Sequence, residues 1–247
     1  IAYLFAHDPL GASGDGSDSL IQCGSYVGNG TTDWSKEINL GWEPQYILAK
    51  RASITGSWFV LDNIRELKGQ GGGNSINYLF AESSAAEQTL ATPLVNITPT
   101  GFTVAGSNIN NTGETIIYMA IKRGMKTPLS SDEVFAIDTE TPSTSTVGSY
   151  SSGEVVDMAI NANTLGGGHP VRTRLLGSTQ LLTGSTAAET SNSSVKFDFM
   201  DGHYNVNNID SGEYSWMFKR AKGFFDVVAY TGDGIAGRTV NHNLGVV

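Results

Sequence analysis

At 247 residues and 26.2 kDa, the chain can bury a sizeable core as one large β domain or two ordinary ones. A hydrophobic share of 39% with 16% charged residues excludes a disordered chain, and a formal net charge of −9 lacks the basic face that nucleic-acid binding needs. One cysteine, Cys23, excludes an internal disulfide, and no run of 18 apolar residues offers a membrane span.

The 30 glycines exceed the usual share of about 7%, and with abundant Ser, Thr and Asn they predict short strands joined by tight turns. In chain order, Ile1 to His7 reads as the closing strand of an earlier unit, and Leu10 to Asp18 as a linker. Cys23, in the apolar run from Leu20, is expected to be a small buried thiol. Tyr46 to Arg51 and Trp58 to Leu61 read as neighbouring strands joined by a turn. Short helices are expected at Asp62 to Lys68 and at Ser83 to Leu90, where Ser83 would cap the second. Phe102 and Val104 form an alternating strand entered from Gly101. From Thr115 to Ile121 the alternation puts Ile116, Tyr118 and Ala120 on one face and Ile117, Met119 and Ile121 on the other. Both faces are apolar, which predicts a central strand covered on both sides. Lys126 to Asp132 reads as a linker and Thr139 to Ser152 as a long exposed loop. Asn-Gly and Asp-Gly pairs at 15–16, 29–30, 201–202 and 233–234 predict hairpin turns. The start at Ile1 and the end in the apolar Leu244 to Val247 both read as cuts from a longer protein.

Several of these blocks recur in the same order at an offset of about a hundred residues, the size of a domain. Tyr78 to Thr89 is echoed by Gln180 to Thr190, and Gly101 to Glu114 by Gly202 to Glu213. Each is followed by a strand ending in a basic pair, Lys122-Arg123 and then Lys219-Arg220. Tyr230 to Gly245 repeats the pattern of Tyr26 to Gly41 and would open a third unit. The expected organisation is therefore the end of one repeat and a linker at 1–19, a β-sandwich repeat at 20–125, a second and divergent one at 126–222, and the start of a further repeat at 223–247. The fold class expected is all-β, made of tandem antiparallel, jelly-roll-like sandwiches.

The motif set runs Tyr26 to Gly30, Ile38 to Pro44, Lys50-Arg51, Trp58 to Asp62, Gly101 to Val104 and Tyr118 to Arg123. It resembles a repeat of phage virion proteins, notably tail-fibre and appendage proteins of marine cyanophages. The Gly-Phe strand and the Asn-rich turn after it are similar to concanavalin- and laminin-G-like jelly rolls. The match is good over 20–125 and 224–247 and looser over 133–220, where His169-Pro170-Val171-Arg172 replaces the strand around the Trp. The resemblance implies a non-enzymatic structural and adhesion protein at the virion surface, outside the cell. Its partners would be further copies of itself, as a homo-oligomer such as a trimer along a fibre axis, other virion proteins, and a host surface glycan. Neither nucleic acid nor membrane insertion is expected. A lectin-like carbohydrate-binding module and a capsid decoration protein are the alternatives, with an extracellular hydrolase built on sandwich repeats as a third.

Residues with chemical potential are scattered. His7, His169, His203 and His242 lack the spacing of a zinc site, and no Gly-x-Ser-x-Gly elbow marks a nucleophile. Gly14 to Asp18 and Gly232-Asp233-Gly234 lack the spacing of a calcium loop and read as solvated turns. Gly71 to Gly73 and Gly166 to Gly168 lack the Lys-Ser/Thr of a phosphate loop. Trp58 and Trp216 are expected in the core and Trp42 at a packed corner. Trp34, next to Asp33 in a polar loop, could stack on a sugar ring, so Asp33 and Trp34 are the candidate glycan contacts. No catalytic residue, metal ligand or cofactor is expected.

Overall fold

The computed structural model describes His7 and residues 19–65, 67–69, 76–91, 94–139, 149–163, 168–205, 213–230, 232, 234–242 and 244–245. The fold is all-β, with antiparallel sheets, one short 3₁₀ turn at Ser131–Glu133 and no α-helix among the described residues. The chain divides into two compact units, the first mainly Ile1–Leu67 and Asn74–Gly124, the second mainly Met125–Thr231.

Unit 1 contains β1 (Ile21–Val27), β2 (Lys36–Asn39), β3 (Pro44–Arg51), β4 (Phe59–Asp62), β5 (Ile76–Phe80), β6 (Gln88–Leu90), β7 (Val95–Thr98), β8 (Gly101–Val104) and β9 (Thr115–Lys122). A six-stranded sheet runs in the order β1-β9-β3-β4-β5-β6, and a three-stranded sheet in the order β2-β8-β7. The two pack face to face. The Phe102 ring of β8 lies 5.5 Å from Tyr118 of β9 and 6.5 Å from Tyr26 of β1. Ile38, Ile47, Leu61, Ile97 and Ile116 complete a dry core between them. Alternation along β9 sends Ile116, Tyr118 and Ala120 into that core, because successive side chains point to opposite faces.

Unit 2 contains β10 (Phe135–Thr139), β11 (Tyr150–Ser151), β12 (Met158–Asn163), β13 (Pro170–Thr173), β14 (Thr179–Leu182), β15 (Thr190–Ser191), β16 (Val195–Lys196), β17 (Gly202–Asn205) and β18 (Glu213–Phe218). Its sheets run β10-β18-β12-β13-β14-β15 and β11-β17-β16. Strand for strand, this is the topology of unit 1. One close approach also recurs. A Cβ on Gly101 would stand 2.0 Å from the Ile38 carbonyl oxygen, and one on Gly202 would stand 1.9 Å from that of Tyr150. Only glycine lets β8 and β17 lie so near β2 and β11.

Several local expectations are corrected. Residues 63–65 form a turn, and 83–87 are irregular before β6, so neither short helix forms. In each segment the stretch of helix formers is under two turns, too short to offset the cost of nucleation. The loop from Thr139 ends in β11, whose Tyr150 is buried. Cys23 is half-buried on the outer face of β1. Trp58 and Trp216 are half-buried outside the core, while Trp42, 2% exposed, is the deeply buried tryptophan. The outer face of β9 is covered only in part, with Ile117 and Ile121 half-exposed. Residues 1–6, the linker at 10–18 with its Asp-Gly turn, Gly71 to Gly73, Gly166, Gly167 and Asp233 lie outside the described residues.

Candidate functional site

Among the described residues, two polar clusters bear on the candidate sites. The first is the loop between β1 and β2, which holds Asp33 and Trp34. Buried Asn110, 81 residues along the chain from Asn29, fastens this loop. Its Nδ2 donates to Asn29 Oδ1 at 2.8 Å and to the Thr31 carbonyl at 3.0 Å. Its own Oδ1 accepts from the Asn29 backbone N–H at 3.1 Å, and its carbonyl accepts from that of Gly30 at 2.7 Å. Asp33 lies exposed and turned onto its own loop, where Oδ1 accepts from the Ser35 N–H at 3.0 Å. Hydrogen bonds from Ser35, then Thr31, hold its carboxyl below the usual range. Trp34 is half-buried with φ at 64°, a left-handed backbone that a bulky residue rarely adopts. Both candidate glycan contacts therefore sit on a loop that Asn110 holds at its first residues.

The second place is the core of unit 2. His203 of β17 is 0% exposed and stacked between Tyr150 at 4.8 Å and Phe197 at 5.5 Å. Its Nε2 shares a hydrogen bond of 2.8 Å with the Ser215 hydroxyl of β18. Burial, with help from Arg172 and Arg174, pushes the imidazole down to about 3, so it stays neutral at ordinary pH. Around it, the Tyr150 hydroxyl donates to Glu213 Oε2 at 2.9 Å. Arg172 donates from one terminal nitrogen to Asn161 Oδ1 at 2.8 Å and from Nε to Gln180 Oε1 at 3.0 Å. Burial lowers the Arg172 guanidinium while the charge of Glu213 raises it, so cation and anion stabilise each other across the core. Behind them Arg174 Nε donates to the Val156 carbonyl at 3.0 Å and lies 3.8 Å from Asp157.

A hydroxyl beside a neutral imidazole is the opening of a nucleophilic triad, but the third member is missing. His203 Nδ1 has no hydrogen-bond partner, where a triad needs a carboxylate to set the tautomer. Both Ser215 and His203 are wholly buried, so no acyl group could reach the hydroxyl. The cluster is packed inside the sandwich of unit 2.

Reading the sequence residue by residue missed this cluster, although the signal was present in the repeat. Aligned on the two basic pairs, Glu213 and Ser215 fall where unit 1 has Ile116 and Tyr118, both of which point inward. Of the remaining histidines, His7 Nδ1 accepts from the Cys23 N–H and His242 Nδ1 from that of Leu244, while the buried His169 Nδ1 has no hydrogen-bond partner. No group of three or more metal-ligating side chains occurs among the described residues. On the outer face of unit 1 lies a depression of about 480 Å³, edged by Tyr46, Asp62, Arg65 and Ile121. Its cation, Arg65, is paired with Asp62 and with Glu87.

No curated protein and no solved structure matches the chain. The domain of unknown function DUF7483 matches residues 1–124, which is half of the sequence, and so the chain belongs to the DUF7483 family.

Proposed function

We propose that the chain is a non-catalytic structural and adhesion part of a phage particle, displayed at the particle surface on a fibre or appendage. The observation that supports this most is the repetition of one nine-strand sandwich with unchanged topology. Repeating a module is how a protein gains length and contact surface from short-range packing alone. The sealed Ser215–His203 pair agrees with it, since the residues nearest to a hydrolytic arrangement are used for packing. The test is disruption of the gene in the phage that carries it. Particles should lack an appendage by electron microscopy and lack this chain by mass spectrometry. Intact, infective particles without the protein would overturn the reading.

The strained Trp34 favours a second reading, in which the β1–β2 loop contacts a host glycan. A bulky side chain held at positive φ marks a position determined by its surroundings, a condition common at binding sites. On a glycan array the chain should give a signal that Trp34→Ala removes. Absence of any signal would leave only the structural role.

A further inference from the structure

The depression on the outer face of unit 1 lies at one corner of its large sheet. There Tyr46 of β3 stands in register between Ile121 of β9 and Asp62 of β4. The same corner of unit 2 has Met158 between Phe218 and Thr173. Unit 2 closes this corner with its own chain: Phe225 lies 5.5 Å from Phe218, and Thr173 is buried. Unit 1 leaves it open and makes it polar. The register of β3 against β9 slips between Pro44 and Tyr46, whereas β12 runs against β18 from Met158 to Asn163 without a slip. The extra residue is Gln45, which lines the depression, and a bulge of this kind re-aims a side chain. The turn after β4 differs as well. Asp62 Oδ1 accepts the Arg65 N–H at 2.9 Å, while in unit 2 the Thr173 hydroxyl accepts the Leu176 N–H at 3.2 Å. Such a turn needs only an oxygen at its start. The Asp62 carboxylate and the Arg65 guanidinium exceed that need, since Thr173 and Leu176 are bonded in the same way without charge.

We propose that this corner binds a neutral sugar ring, with Tyr46 against its C–H face and Gln45, Asp62 and Arg65 on its hydroxyls. Arg65 is paired with Asp62 and, at 3.1 Å, with Glu87. An anion would therefore meet two carboxylates beside one cation. A cation has nothing to accept the N–H donors of Arg65 and Gln45, whereas a sugar hydroxyl both accepts from them and donates to a carboxylate. A guanidinium carries five N–H donors, so its two carboxylate partners leave donors over for a ligand. Half-buried Tyr46 lines the hollow, and burial raises its hydroxyl against the charge of Arg65, so the phenol stays protonated and can donate too. An apolar floor of Tyr46, Ile64 and Ile121 with a few polar groups is the usual make-up of a small-ligand site. The volume of about 480 Å³ also falls inside the usual range of roughly 300–1,000 Å³. The proposal rests neither on the virion reading nor on the loop that holds Trp34.

The test is amide chemical-shift mapping on the full chain. The probes are the methyl glycosides of glucose, galactose, mannose and N-acetylglucosamine, with methyl glucuronide as the charged comparison. At the ligand efficiency of ordinary small molecules such a glycoside binds with a dissociation constant of about 1 mM, so each is carried to about 50 mM. At least one neutral glycoside should shift the amides of 45–46 and 62–65 saturably. Tyr46→Met and Arg65→Leu install the residues of unit 2 at the same sheet positions, and each should weaken that binding at least tenfold. If one variant loses its sheet circular dichroism, the other decides. No saturable shift with any neutral glycoside, tighter binding of the glucuronide, or shifts that survive both substitutions would overturn the proposal. Shifts confined to 29–35 would overturn it as well and would support the reading of Trp34 instead. None of these outcomes touches the particle test of the proposed function.

Discussion

On the inner face of β9, unit 1 presents Ile116, Tyr118 and Ala120, and in the same places on β18 unit 2 presents Glu213, Ser215 and Met217. The exchange continues across the sandwich. Leu61 corresponds to Arg172, Ala49 to Asn161, Ile38 to Tyr150 and Phe102 to His203. Volume moves with polarity. Tyr118 fits only because its neighbour Gly24 leaves its hydroxyl room, since a Cβ there would lie 2.6 Å away. In unit 2 the neighbours are Asp138 and Ser215, and the space is filled from the other sheet by Tyr150 and His203. One backbone thus supports an apolar core and a hydrogen-bonded one. Topology is set by the strand ladder and the glycine crossings, and core chemistry is free to change where most buried polar groups find a partner, His203 Nδ1 and Asn161 Nδ2 being, among the described residues, the two in this core without one.

The largest effect should fall on what the units share. Gly101→Ala and Gly202→Ala each drive a methyl group into a carbonyl oxygen of the adjacent strand, and nothing flexible can yield. Each should cost about 5 kcal/mol, at the extreme of single substitutions. Hydrogen exchange should show the loss in β2 and β8 for the first, and in β11 and β17 for the second. Unequal losses would mean that the crossings do not carry the same weight in the two units.

What separates the units should break next. Arg172→Leu installs the residue of unit 1 but leaves Glu213 buried without its cation, which costs about 3–5 kcal/mol. Adding Glu213→Ile, also the residue of unit 1, should return at least half of that loss, because the remaining charge goes too. Chemical denaturation of the two single variants and the double gives the coupling directly. Additive losses would show that the two charges do not depend on each other.

The fold was legible in the sequence because its signals are local and repeated. Alternation in Thr115 to Ile121, the turn glycines Gly30 and Gly234 and the two basic pairs each require nothing beyond their own segment, whereas Gly202, expected in a hairpin turn, opens β17 instead. The polar core was not legible in that way. Arg172, His203 and Glu213 are distant in the chain, and each alone reads as a surface residue. Only the register with unit 1 turns them inward. The two short helices failed for a different reason, since each run of helix formers is under two turns and settles into a turn at 63–65 and irregular chain at 83–87. Trp58 and Trp216 were expected inside because apolar strands surround them, but alternation puts Trp216 on the outer face and Trp58 just before β4. For the candidate glycan contacts the sequence showed the pair and its polar loop, while the grip of Asn110 came from 81 residues away.

The smallest of these effects isolates one side chain. His203 is neutral in the folded protein down to about 3, against an ordinary value of 6.5, so between those values the unfolded chain binds more protons than the folded one. Stability is therefore complete above pH 6.5 and falls as the pH drops through this window, by about 1.4 kcal/mol per pH unit and about 2 kcal/mol by pH 5. The groups facing the ring strengthen the bias. Arg172 and Arg174 both oppose a proton on it, and Ser215 accepts or donates without taking charge. Unit 1 has Phe102 at this place and should show no such dependence in the same window from its core. Protection of β17 and β18 against hydrogen exchange should thus decline from pH 6.5 to 4 relative to β8 and β9, after correction for intrinsic exchange. His203→Phe, the residue of unit 1, should flatten that decline even if it lowers stability at neutral pH by stranding the Ser215 hydroxyl. A decline unchanged in His203→Phe would show that the imidazole is a spectator to the acid sensitivity.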